Sequence, residues 1–101
     1  MISRILQALR IIRETRRVEG EYLTADTAEG CLAAVALIGD EVADRLARRH
    51  RVEPGYTPYV TAARLVAARF PSSWVAREVR EDERRHRALL GELNLITALR
   101  V

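Results

Sequence analysis

From Cys31 to Gly39 every residue is apolar or glycine, a nine-residue run with no polar side chain to offer water. Wound into a helix, such a run has no wet face for about two and a half turns and has to be enclosed by other elements. The stretch Ala28–Ala47 therefore predicts a central helix. Beyond the run the pattern turns amphipathic, with Val42, Ala43 and Leu46 on one side and Asp40, Glu41, Asp44 and Arg45 on the other. Gly39, Ala43 and Ala47 recur every fourth position, a row of small residues that lets a second helix approach closely.

A 101-residue chain makes a single domain, residues 1–101, and by size scaling it buries roughly 65% of its extended surface, enough for a core without staples. The single cysteine excludes an internal disulfide, and Cys31 inside the apolar run reads as a small buried hydrophobe. The opening MISRILQALRII is interrupted by Arg4 and Arg10 and lacks a small-residue cleavage site, unlike a signal peptide. The run from Cys31 is far short of the roughly 20 residues that span a bilayer. The expectation is a cytoplasmic chain with no membrane span. All seventeen basic residues are arginine, yet fourteen acids interleave with them and hold the net charge to +3. Basic ends flank an acidic middle, which is not by itself a nucleic-acid signature.

Local signals predict an all-α bundle of four helices, at about 4–22, 27–50, 58–70 and 73–98. Ser3 caps the first, whose stripe Ile5, Leu6, Leu9 and Ile12 shifts to Ile11, Val18 and Tyr22 in its second half. Asp26 with Glu29 three later reads as a capping box for the second. That helix ends in Arg48, Arg49, His50 and Arg51, cations that suit a carbonyl terminus. Arg45 and His50 also match the R-x4-H spacing of nucleases built on small helical bundles, a pattern an arginine-rich chain meets easily. Pro54 and Gly55 mark a turn, and Thr57-Pro58 is a helix start with proline at the first position. Tyr59, Ala62, Ala63, Val66 and Phe70 form the apolar face of the third helix, with Arg64 and Arg69 facing out. Pro71 ends it, and Ser72 or Ser73 caps the fourth. The expected core is Leu32, Val35, Ala36, Leu46, Val66, Phe70 and Val75.

The fourth helix is unlike the others. Trp74, Val75 and Val79 form one apolar patch, Leu89, Leu90, Leu93 and Ile96 another, and between them Arg80–Arg87 is eight consecutive charged or ionisable residues. Helical steps from Val75 and Val79 land on Asp82, His86 and Leu89, so the stripe passes through a carboxylate and a histidine. Three readings follow. In one, segment 58–88 is helix-turn-helix-like and Arg77, Arg80 and Arg84 contact nucleic acid, although Phe70-Pro71 replaces the usual glycine turn and Glu78, Glu81, Asp82 and Glu83 share the helix. In another, Glu83-x-x-His86 holds a metal. EDERRHRALL resembles the helices of ferritin-like bundles over about ten residues, which implies a site completed by a second chain. In the third, the charges form a solvated face with Glu81–Arg85 and Glu83–Arg87 pairs at i,i+4.

Magnitudes add a partner to the third reading. A helix over 73–98 is roughly 40 Å long, against a body about 34 Å across for a compact domain of this length. The helix overshoots unless it bends near Gly91 or meets another chain. Leu89, Leu90, Leu93, Ile96 and Leu99 on the overshoot form the expected oligomer interface, most simply of a homodimer. No nucleophile with its base, glycine-rich phosphate loop or cysteine pair appears, so the chain reads as a non-catalytic protein-protein interaction module without cofactor.

Overall fold

The computed structural model describes residues 2–99, which form five helices and no strand: α1 Ile2–Thr24, α2 Ala28–Val35, α3 Asp40–Arg49, α4 Pro58–Arg69 and α5 Trp74–Leu99. The fold is all-α, and no described helix is long and apolar enough to cross a membrane. α4 lies at the centre, packed against α2, α3 and α5, while α1 closes the other side of α2 and α3.

The expected helix over 27–50 is two helices. Ala36 caps α2 at its C-terminus, Leu37 is 97% exposed, and Gly39 takes extended angles (φ −78°, ψ 168°) as the N-cap of α3. The apolar run is thus not enclosed throughout. Two physical causes favour the break. Glycine in a helix interior costs about 1 kcal/mol relative to alanine, whereas Asp40 and Glu41 are stabilised in the first turn of a new helix. Length is the other cause: a straight 27–50 helix is about 36 Å, while α4 is only about 18 Å, so both halves cannot stay on it unless the chain turns. After the turn, Val42, Ala43, Leu46 and Ala47 are buried and Gly39 is not, so two of the three small residues meet a neighbour.

Helix ends follow local chemistry, with two corrections. Thr27, not Asp26, caps α2, its hydroxyl accepting from Gly30 N at 3.0 Å. This leaves the Glu29 carboxylate to accept the Trp74 indole N–H at 2.9 Å, so no capping box forms. Ser3 lies inside α1, whose described start is Ile2. The other caps agree with the sequence: Thr57 Oγ1 accepts from Val60 N at 3.2 Å ahead of Pro58, and Ser73 Oγ accepts from Ala76 N at 3.2 Å. α3 closes with a Schellman pattern, Val52 N to Ala47 O and Arg51 N to Arg48 O, that puts Arg51 at φ 57°.

The core is built from Val18 and Tyr22 of α1, Cys31 and Val35 of α2, Leu46 of α3, Leu65 and Val66 of α4 and Val75 of α5. Of the expected core, Val35, Leu46, Val66 and Val75 are buried; Leu32, Ala36 and Phe70 are half-buried. α4 is turned by about one residue from its expected face, a rotation of about 100°. Thr61, Ala62, Leu65 and Val66 point inward, and Tyr59 is 62% exposed. A buried hydroxyl makes this possible: Thr61 Oγ1 donates to Thr57 O at 3.2 Å and accepts from Gly55 N at 2.8 Å. Arg64 and Arg69 are half-buried, not outward-facing. Arg64 Nη1 donates to the Glu53 and Pro54 carbonyls, and Arg69 Nη2 to Ala25 O.

The Cα radius of gyration is 16.8 Å and the molecule measures 54 × 40 × 19 Å. A compact chain of about 100 residues has a radius near 13 Å. The excess lies in two helix ends, the first half of α1 and the second half of α5, whose side chains are exposed throughout residues 2–10 and 84–99.

Candidate self-association surface

α5 leaves the body in stages. Val75 and Ala76 are buried, Val79 and Glu83 half-buried, and from Arg84 to Leu99 every side chain is exposed. The helix continues unbroken through Gly91, so the overshoot is not relieved by a break there. Leu89, Leu93 and Ile96 lie on the continuation of the Val75–Val79 stripe, with Leu90 at one edge and Leu99 beyond Ile96 on the other, while Leu95 faces nearly the opposite side. Leu89 and Leu93 keep 57% and 56% of their surface, and Leu99 is more exposed still. These are the interface residues expected from sequence, brought together on one uncovered helix end.

The charged block is laid out differently from expectation in one respect. Arg84 forks onto Glu81 (Nη2–Oε1 2.5 Å, Nε–Oε2 3.2 Å), and Arg85 stands 3.6 Å from the same carboxylate. The Arg84 hydrogen bonds hold the Glu81 carboxyl below its ordinary pKa. The expected Glu83–Arg87 pair is not formed. Glu83 faces Arg64 of α4 at 3.6 Å, and Arg87 Nε donates to the Glu83 backbone oxygen at 3.5 Å. α4 lies beside this turn and offers the closer cation. Exposed pairs of this kind contribute about 0–1 kcal/mol each, so the block shapes geometry more than stability.

A groove of about 370 Å³ between α4 and α5 adjoins the stripe. Leu32, Tyr59, Trp74 and Val79 line it, and the carboxylates of Glu78 and Asp82 stand on its wall, with no salt-bridge partner among the described residues. Sequence reasoning missed this groove because it assigned Tyr59 to the core. The available signal was the clustering of Tyr56, Tyr59 and Trp74 about the α4–α5 pair, more aromatic surface than so small a core absorbs.

The remaining candidates are distributed over several surroundings. Arg77, Arg80 and Arg84 are exposed on the outer side of α5; Arg80 donates to Pro71 O at 3.1 Å and Arg84 is engaged by Glu81. Among the described residues no group of three or more His, Cys, Asp or Glu side chains converges as metal ligands, and Glu83 of the E-x-x-H spacing faces Arg64. Arg45 lines an open cleft between α1 and α3 with Arg16 and Arg48, whereas His50 packs against Tyr22 with ring centres 4.6 Å apart and planes tilted by 46°, and stands 3.5 Å from Glu19. A second apolar surface, not foreseen as exposed, is Ile2, Ile5, Leu6, Leu9 and Ile12 on α1. It points about 150° away from the buried Thr15–Val18–Tyr22 face of the same helix, so the body does not cover it.

The chain matches no known protein family, no curated protein and no solved structure.

Proposed function

We propose that this chain is a non-catalytic assembly module of the cytoplasm that pairs with a second copy of itself through the C-terminal half of α5. The observation that carries the reading is the exposed row Leu89, Leu90, Leu93 and Ile96, which prolongs the stripe that the domain itself buries at Val75. A second copy is the occupant because the helix is charge-complementary to itself: Glu81, Asp82 and Glu83 precede Arg84, Arg85, His86 and Arg87, so an antiparallel copy sets acids against bases. Affinity comes from the aliphatic row, where each large side chain buried is worth about 1.5–3 kcal/mol.

Sedimentation velocity of the full chain tests the reading. Wild type is expected to sediment as a dimer at tens of micromolar, and Leu93→Asp with Ile96→Asp as a monomer that keeps a helical circular-dichroism spectrum and a cooperative melt. A wild type that is monomeric under these conditions overturns the proposal.

A further inference from the structure

The stripe on α5 has a mirror in it. Counting outward from Arg84, Asp82 and His86 stand two residues away on either side, Val79 and Leu89 five, and Val75 and Leu93 nine. Glu83 and Arg85 stand one away, and Glu81 and Arg87 three. Every acid in the block therefore has a base at the equivalent distance on the other side, and every body valine of the stripe has an arm leucine. Arg84 itself lies about 180° from the stripe, so it does not face its own copy across a seam.

We infer that two copies pair antiparallel about a two-fold axis opposite Arg84, with Asp82 of each against His86 of the other, and that the arm leucines of each copy seat in the α4–α5 groove of the other. The inference rests on self-association through α5 and adds its register and receiving site. At this register Leu89 lies across from the half-buried Val79, and Leu93 comes level with Val75, which the body covers, so that it meets the exposed Trp74 and Tyr59 rings lining the groove. From Leu89 to Ile96 the helix rises about 10 Å, which fits along α4 at about 18 Å. Within the Arg80–Arg87 block the flanks interleave Glu81 with Arg85 on one side of the seam and Glu83 with Arg87 on the other, so acids and bases balance there.

Competing registers fail on the two polar stripe residues. Sliding the axis by half a heptad toward the C-terminus sets Asp82 against Leu93 and His86 against Leu89; sliding it the other way sets Asp82 against Val79 and His86 against Val75. Either slip buries a polar group against aliphatic carbon without a partner, which costs several kcal/mol for a charge. A parallel pair sets Asp82 against Asp82. Of these arrangements the register about Arg84 is the one that gives each Asp82 carboxylate a donor, the way a single polar position fixes register in a coiled coil.

Disulfide trapping under air oxidation tests this on the full chain. Val79→Cys mixed with Leu89→Cys is expected to give a mixed disulfide, while neither chain alone cross-links, since like positions are about 15 Å apart along the seam. Asp82→Cys mixed with His86→Cys, both at exposed positions, gives a second test if substitution at the half-buried Val79 unfolds the chain, read as a mixed disulfide in excess of either self-cross-link because like positions there are about 6 Å apart along the seam. Trp74, the one tryptophan, gives a second readout: its emission shifts to shorter wavelength as wild type dimerises on concentration, and does not shift in Leu93→Asp/Ile96→Asp. A Leu89→Cys chain that cross-links to itself, a dimeric wild type with no mixed disulfide in either pair, or a Trp74 emission indifferent to dimerisation overturns the register and groove while leaving self-association standing. A monomeric wild type overturns both.

Discussion

The guanidinium carbon of Arg69 lies 5.6 Å from the centre of the Tyr22 ring, joining the end of α4 to the end of α1 across the core. The same group sits 5.5 Å from the Phe70 ring, and its Nη2 donates to the Ala25 carbonyl at 2.9 Å in the linker between α1 and α2. One side chain thus ties the end of α4 to the junction of α1 and α2, 44 residues away in sequence. Arg69→Ala is expected to destabilise the domain by about 1–3 kcal/mol, combining a hydrogen bond from a charged donor with the cation–π contact. Arg69→Lys is expected to recover less than half of this, because an ammonium lacks the planar fork that stacks and donates at once. Urea midpoints with unchanged slopes check both values.

Arg51 carries the left-handed conformation that closes α3, at φ 57°. A side chain with Cβ is strained there, and glycine is not, although glycine gives up more backbone freedom on folding. Arg51→Gly is expected to stabilise the fold by about 0.5–1 kcal/mol, raising the melting temperature by several degrees. Differential scanning calorimetry reads it directly; an unchanged or lowered melting point refutes the assignment of strain.

Thr61 holds the loop before α4. Its buried hydroxyl is the partner of Gly55 N, and Thr61→Val, nearly the same shape, is expected to cost about 1–3 kcal/mol by leaving that N–H unmet. Gly55→Ala is expected to destabilise as well, because a Cβ there overlaps the Val60 side chain and approaches the Thr61 nitrogen at 3.3 Å. Amide exchange at Gly55, fast in Thr61→Val and slow in wild type, separates the hydrogen-bond effect from a general loss of stability.

Burial raises the Cys31 thiol above its ordinary pKa, with Arg69 opposing the shift more weakly. The folded state therefore holds the thiol proton more tightly than the unfolded state. Stability from this group is complete below the thiol's unfolded value and declines as pH rises beyond it. A disulfide reagent at pH 8 is expected to leave Cys31 unmodified in the native chain, with reaction tracking the loss of helical circular dichroism in denaturant. Rapid native labelling refutes this.

Capping chemistry was the most legible part of the fold. Thr57-Pro58 and the Pro71–Ser73 break are short-range signals, satisfied within a few residues, and the structure uses them as the sequence suggests. The capping box at Asp26 and Glu29 was equally local but lost to a long-range claim, since Trp74 offers Glu29 a donor from 45 residues away. The face of α4 was misread for the same reason. Its alanines and valines fit either rotation, and the hydroxyl of Thr61 decides between them only once Gly55 is folded over it.

Helical periodicity, the caps and the acid–base order of Glu81–Arg87 are properties of neighbours along the chain, which is why the all-α class, most helix bounds and the leucine row on α5 follow from the amino acids alone. The break at Gly39, the groove between α4 and α5 and the uncovered face of α1 do not. They depend on what each helix meets: α2 and α3 both pack on the short α4, so the apolar run has to turn, the end of α5 extends past α4, and α1, packed on α2 and α3, turns the aliphatic face of its first half away from them. Burial is settled by the finite size of the neighbour, and no pattern within a single helix encodes that size.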